Sequence, residues 1–146
     1  MAIRFYSTRD YYGAFSNFSN HGVELDGMWW KTTEHYFQAQ KFLDNSYKEK
    51  IRNAPDPKTA ATLGRSRKVG IRDDWEQIKD NVMRKAVRKK FETHQQLREL
   101  LISTGDEEII ENAPGDYYWG CGKDGSGKNR LGQILMEVRQ LLQEHN

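Results

Sequence analysis

Between residues 75 and about 92 the apolar side chains recur at steps of three or four. Trp75, Ile78, Val82 and Ala86 form one stripe, and Met83, Val87 and Phe91 widen it. That period places the whole stripe on one side of a long helix. A helix with one apolar side must bury it against other elements, so the remaining chain has to supply partners. Most of those partners are also helical. Thr32 or Thr33 can cap a helix reaching residue 42, because a hydroxyl there accepts from the free amides of the first turn. Asp56-Pro57 is an N-cap followed by proline at the first helical position, opening a short helix that Gly64 closes. Residues 94 to 102 continue the pattern, and Leu131, Ile134, Leu135, Val138 and Leu142 share one face of a last helix from about 129.

Strand signals are few and short. Ile3-Arg4-Phe5-Tyr6 alternates, Val23-Glu24-Leu25 runs into the turn dipeptide Asp26-Gly27, and residues 108 to 111 make a third segment. The expected fold is mainly α: a compact single domain over residues 1–146, helical with a few short β-strands. A chain of 146 residues buries roughly 68–70% of its unfolded surface, so neither metal nor disulfide is needed for folding. The charge balance is 23 basic to 21 acidic residues, a formal +2, which argues against wholesale wrapping of nucleic acid. Cys121 is the only cysteine, so no intrachain disulfide can form. The first residues carry no apolar leader segment, and no stretch approaches the 18 or so apolar residues of a membrane span. A cytoplasmic location without a membrane partner is the expectation.

Three constellations could carry chemistry. In the first, Glu34, Gln38 and Lys41 share a helix face at spacings of four and three, amid Tyr36, Phe37 and Phe42. A carboxylate, an amide and an ammonium in one row suit a polar cleft. The plainer alternative is a first-turn glutamate that complements the helix dipole. His35 is read as a packing residue. In the second, the segment from Trp119 to Arg130 carries four glycines at 120, 122, 125 and 127 and runs straight into the last helix. Glycines let a backbone approach a ligand with its amides turned inward, and Lys128 and Arg130 add charge, which suits a phosphate. A merely mobile loop is the alternative. The stretch from Gly122 to Lys128 nearly matches a nucleotide-binding P-loop. However, Asn129 replaces the hydroxyl that would hold magnesium and no buried strand precedes it, so that reading fails.

The third constellation is aromatic: Trp29-Trp30, Trp75 and Tyr117-Tyr118-Trp119. Base stacking contributes on the order of 1–3 kcal/mol per base. Trp75 lies on its helix's apolar stripe and is more at home in a core, whereas Trp119 beside the glycine loop is the better platform. The run Arg84, Lys85, Arg88, Lys89 and Lys90 is expected to solvate the long helix. The four histidines are scattered, and no metal-ligand spacing occurs. Cys121, with no base partner in sequence, reads as a passive thiol.

Phe15-Ser16-Asn17-Phe18, the segment from Thr33 to Phe42, Asp116-Tyr117-Tyr118-Trp119-Gly120 and the segment from Gly125 to Gly132 occur in that order. Together they closely resemble the NADAR family, also called YbiA-like, over about residues 3 to 142. The resemblance implies a compact, mostly helical fold and, for one branch, an N-glycosidase. That branch acts on phosphoribosylaminopyrimidine intermediates of riboflavin biosynthesis and releases ribose 5-phosphate. The short form and the Trp75-Glu76 region resemble this branch. Other members remove ADP-ribose from guanine in DNA, which is the alternative activity; a non-catalytic ADP-ribose or NAD reader is a third. Glu34 matches the family's motif glutamate, implicated in catalysis, and Asp116, Trp119 and Asn129 match positions expected around the pocket. One departure stands out: Cys121 takes a place where members of this branch often have aspartate.

Cleaving a ribosyl C–N bond builds positive charge on C1′ and the ring oxygen, and a nearby carboxylate stabilises it. On this reading Glu34 is that carboxylate and Asp116 assists as a second acid or holds the ribose hydroxyls. Trp119 and Trp75 stack on the base. Gly125, Gly127, Lys128 and Arg130 hold the phosphate, while Asn129 contacts substrate or fixes the loop. No cofactor is called for. The expected partner is a phosphorylated ribosyl small molecule or, on the alternative reading, ADP-ribosylated DNA.

Overall fold

The computed structural model describes residues 1–145. Among them are four three-residue strands, β1 (Ile3–Phe5), β2 (Val23–Leu25), β3 (Met28–Trp30) and β4 (Ile109–Glu111). The six helices are α1 (Thr33–Ala39), α2 (Asn45–Arg52), α3 (Pro57–Arg65), α4 (Trp75–Thr93), α5 (Gln95–Ser103) and α6 (Arg130–Glu144). None of the helices is long and apolar enough to cross a membrane. The chain gathers into two compact units. Unit 1 comprises Met1–Ser19 and the chain from Phe91 on, and unit 2 is Asn20–Lys90.

In unit 2 the Asp26-Gly27 turn joins β2 to β3 as an antiparallel hairpin with Val23 opposite Trp30. Both turn residues have positive φ, 56° and 78°, the conformation a tight two-residue hairpin demands and asparagine, aspartate and glycine supply. Asp26 does more than turn the chain. Its carboxylate accepts from Tyr36 Oη at 2.9 Å and from Lys85 Nζ at 2.5 Å. That ion pair holds the carboxyl below its usual range despite partial burial, while burial and Asp26 push the Tyr36 phenol up to about 12. The buried core of the unit runs from Val23 and Trp30 through Tyr36 and Phe42 to Ile51 and Ala86.

Three helices of unit 2 start from side-chain caps. Thr32, Asp44 and Asp56 each accept from the amide three residues on. The Thr32 and Asp56 caps follow the sequence expectation. Helix α2 and strand β3 do not appear in it. The segment 45–52 reads as polar, and only Ile51 within it is buried. Helix α1 ends at Ala39, short of the expected 42.

In unit 1, β1 pairs in parallel with β4, Ile3 opposite Ile109, and α6 lies against β4 and α5. Phe15 meets Phe5 and Phe91 edge-on, with centroids 5.9 and 5.7 Å away, and the α6 face of Leu131, Ile134, Leu135 and Val138 is buried.

One expectation about the long helix is wrong. Lys90 does not solvate α4: it is 1% exposed, and loss of water around the ammonium lowers its pKa to about 7.

Candidate active site

Every residue of α1 is buried, polar ones included. Burying so many polar groups is costly unless each finds a partner. His35 finds two. Its Nε2 faces Ala54 O at 3.1 Å and its Nδ1 faces Thr32 Oγ1 at 2.8 Å. A neutral ring donating to the carbonyl and accepting from the hydroxyl satisfies both contacts. Burial depresses the ring's pKa, so His35 is the packing residue the sequence suggests.

Glu34 is the unusual member. It is 8% exposed and its Oε2 accepts from Gln38 Nε2 at 2.7 Å, one helical turn on. The carboxylate dictates which way the amide faces, since the reverse orientation would set two oxygens against each other. Gln38 Oε1 is therefore turned away from Glu34, is fully buried and has no hydrogen-bond donor. It is packed against Gly64 of α3, where an added Cβ would come within 2.0 Å of it.

Lys41 lies beyond the end of α1 yet returns to the same place. Its Nζ reaches Gly64 O at 3.5 Å and stands 6.0 Å from the Phe37 ring centroid. Arg67 Nη1 donates to that same carbonyl at 2.9 Å. Desolvation is the first cause that brings the Lys41 pKa down to about 8, with Arg67, Arg65 and Lys79 adding to it and Glu34 opposing. Phe37 in turn packs edge-on against Trp75, centroids 5.1 Å apart. Trp75 is 5% exposed, the core position its stripe requires.

Arg65, Arg67 and Lys79 did not stand out from the sequence, and Gly64 did so only as a helix end, although α3 runs on to Arg65. The available signal was the Arg65-Ser66-Arg67 run just after Gly64.

The glycine loop of unit 1 is built differently from expectation. Its amides are already committed to the chain. Gly127 N donates to Cys121 O at 2.6 Å, Lys128 N to Tyr117 O at 2.9 Å and Asn129 N to Gly120 O at 3.0 Å. Arg130 N and Leu131 N, at the start of α6, donate to Tyr118 O and Trp119 O. Gly125 N bonds Gly122 O, and Ser126 N bonds Asp124 Oδ1. The expected inward-facing amide cradle is absent here because the 117–122 backbone occupies it. Gly127 is needed for that approach, since a Cβ there would meet Gly120 O at 2.4 Å.

The Asn129 side chain also has a structural task. It donates to Ile109 O at 2.9 Å and accepts from Glu111 N at 2.9 Å, tying β4 to the start of α6. Asp116 Oδ1 accepts from the amides of Tyr118 and Trp119 at 3.0 and 2.8 Å, and the half-buried Trp119 packs edge-on to Tyr118. Lys128 is exposed, its Nζ 5.4 Å from the Tyr118 ring centroid, and Arg130 Nη1 donates to Gln133 Oε1. The buried Cys121 thiol contacts Asn112 Oδ1 and Gly122 O, each at 3.4 Å, consistent with a passive role.

A family model for the NADAR domain matches residues 4–143. The chain belongs to the NADAR family. It is 53% identical to N-glycosidase YbiA of Escherichia coli over 96% of this chain and 88% of that one. The NMR structure of that protein superposes with a TM-score of 0.92 over 99% of this chain and 86% of the other. N-glycosidase Npun_R5314 of Nostoc punctiforme is 48% identical over 96% of this chain and 92% of that one. A riboflavin biosynthesis protein of Vibrio vulnificus is 43% identical over 98% of this chain, which spans 39% of that longer protein. The expected hydrolase class agrees with these relatives: this NADAR chain is an enzyme of the N-glycosidase kind.

Proposed function

We propose that this NADAR chain hydrolyses the N-glycosidic bond of a phosphoribosylaminopyrimidine, an early riboflavin intermediate, releasing ribose 5-phosphate. One observation carries the reading: Glu34 is buried with one carboxylate oxygen held at 2.7 Å by Gln38. The N-glycosidase names of the Escherichia coli and Nostoc relatives support the bond type, and the name of the Vibrio relative supports the riboflavin intermediate.

The C1′–N bond breaks with its electron pair leaving on nitrogen, and positive charge spreads over C1′ and the ring oxygen. A fixed carboxylate in a site of low dielectric stabilises that charge more than it does the neutral ground state, so it speeds the step. Glu34 fills this role and takes a proton from the attacking water as its oxygen joins C1′, and that proton passes on to the departing nitrogen, which leaves as the neutral amine. Gln38 fixes the carboxylate's orientation by its amide, and no rotamer search is left for the transition state. Asp116, Trp119, Lys128, Asn129 and Arg130 enter the reading through the family motifs alone, without a role assigned to any of them.

A panel of ribosylated substrates, assayed for release of ribose 5-phosphate or ADP-ribose, tests the proposal. Release of ribose 5-phosphate from the aminopyrimidine is expected. Turnover only with ADP-ribosylated oligonucleotides would replace it with the DNA-guanine reading, and tight ADP-ribose binding without any product would make the chain a reader.

A further inference from the structure

We propose that Lys41 and Arg67, with Arg65 beside them, form an anion subsite in unit 2 that takes the phosphate of a phosphorylated ribosyl substrate. The sugar part of this inference rests on the glycosidase reading; the anion part rests on unit 2 alone.

The charges around Gly64 do not balance. Lys41 Nζ and Arg67 Nη1 both converge on Gly64 O, at 3.5 and 2.9 Å. Arg67 Nη1 also donates to Ser66 O at 3.1 Å, but backbone carbonyls near the end of α3 offer only partial negative charge, about half a charge for a whole helix terminus. Other cations of unit 2 have partners: Arg52 with Glu49 at 2.7 Å, Arg72 with Asp74 at 2.6 Å and Lys85 with Asp26 at 2.5 Å. Among the described residues, Lys41, Arg65 and Arg67 form no salt bridge. Lys79 stands near enough to add to their repulsion, although Glu76 pairs with it at 2.7 Å. Lys41 is besides half-buried, so its charge has lost part of its hydration, and Glu34 offsets that only at a distance, without a salt bridge. A phosphate dianion would offset both costs, and a guanidinium beside an ammonium is a suitable donor set for it.

A second group points to what the phosphate is attached to. Gln38 Oε1 is an acceptor, 94% of its residue buried by the 6% exposure of Gln38, and it lacks a donor. It packs against the same glycine whose carbonyl anchors the two cations. A ribose phosphate carries hydroxyl donors beside its anionic oxygens and so suits both groups; a bare purine or pyrimidine lacks the anion. The glycine loop of unit 1 is the rival location, but the amides of Gly127 to Leu131 are committed to backbone carbonyls and that of Ser126 to Asp124.

The rival explanation for Arg67 and Lys41 is that they only cap α3. Titration of the isotope-labelled full chain with inorganic phosphate, ribose 5-phosphate and ribose, followed by amide NMR, separates the two. Both phosphates should move the amides of residues 64–68, and ribose at the same concentration should leave them in place. Arg67→Ala and Lys41→Gln should each weaken ribose 5-phosphate at least tenfold, about 1.4 kcal/mol. They should also lower the kcat/KM ratio of phosphorylated to dephosphorylated substrate by a similar factor. Arg65→Ala removes an exposed side chain without hydrogen bonds, so it tests the cluster without threatening the fold, and a threefold weakening is expected.

Phosphate binding unchanged in all three variants would overturn the subsite. So would phosphate selectivity that survives Arg67→Ala and disappears in Lys128→Ala. Phosphate shifts at 64–68 in a chain that cleaves no ribosyl substrate would leave the anion subsite standing and sink the glycosidase reading. Cleavage with no such shifts would do the reverse.

Discussion

A Cβ on residue 64 would stand 2.0 Å from Gln38 Oε1 and 2.7 Å from Gln38 Cδ, so only glycine leaves the Gln38 amide where it reaches Glu34. The glycine sits inside α3, where alanine would ordinarily be favoured by roughly 0.5–1 kcal/mol. Its presence there is therefore explained by the neighbouring helix, not by its own. Gly64→Ala should lose at least tenfold in kcat as Gln38 is forced off the carboxylate. The melting temperature should move little, because helix propensity offsets part of the strain. A variant with full activity and a lowered melting temperature would show that the Gly64–Gln38 contact serves stability alone.

Glu34→Gln preserves shape and removes the charge. Turnover should fall by about 10²-fold or more, roughly 2.7 kcal/mol of barrier, with the circular dichroism spectrum unchanged. Wild-type turnover would take Glu34 out of the mechanism.

His35 gives the fold a dependence on acid. Burial lowers its pKa below the ordinary 6.5, so between the folded and unfolded values the unfolded chain binds more protons. Stability is then fully present above about pH 6.5 and is lost as pH falls through the depressed folded value. Melting temperatures of the wild type should decline from pH 7 towards 5, and His35→Gln should show a shallower decline whatever its stability at neutral pH. Parallel slopes in the two proteins would assign the acid sensitivity elsewhere.

Lys41 gives the site a dependence on base. With its pKa near 8 in the free protein, lowered by burial and by Arg67, Arg65 and Lys79, the ammonium is charged below that pH and is lost above it. The KM for a phosphorylated substrate should rise between about pH 8 and 9, whereas that for its dephosphorylated analogue should stay level. Lys41→Gln should abolish the difference in pH profile.

Cys121 is 8% exposed and its thiol faces Asn112 and a backbone carbonyl. A disulfide reagent should label it slowly in the native protein and fully on denaturation, and Cys121→Ser should retain activity. Rapid native labelling with loss of turnover would instead give this thiol a part in the chemistry.

Helix α4 and the buried face of α6 were legible because their apolar residues repeat at the period of the helix itself. The starts of α1 and α3 were legible because Thr32 and Asp56 sit just ahead of the amides they accept from. The Asp26-Gly27 turn likewise needs only two residues to define it. Helix α2 escaped because its eight residues bury only Ile51 and so leave almost no stripe to read.

The amino-acid order by itself determined which side chains share a face: Glu34 and Gln38 are one turn apart wherever α1 is placed. Tertiary structure alone decided what stands opposite them. It brought Gly64 against Gln38, set Lys41 and Arg67 on one carbonyl, buried Lys90 and spent the amides of the 127–131 segment on the 117–121 backbone. Periodicity reports a residue's angle about its own axis, and nothing in that angle says which distant segment will occupy the space it faces.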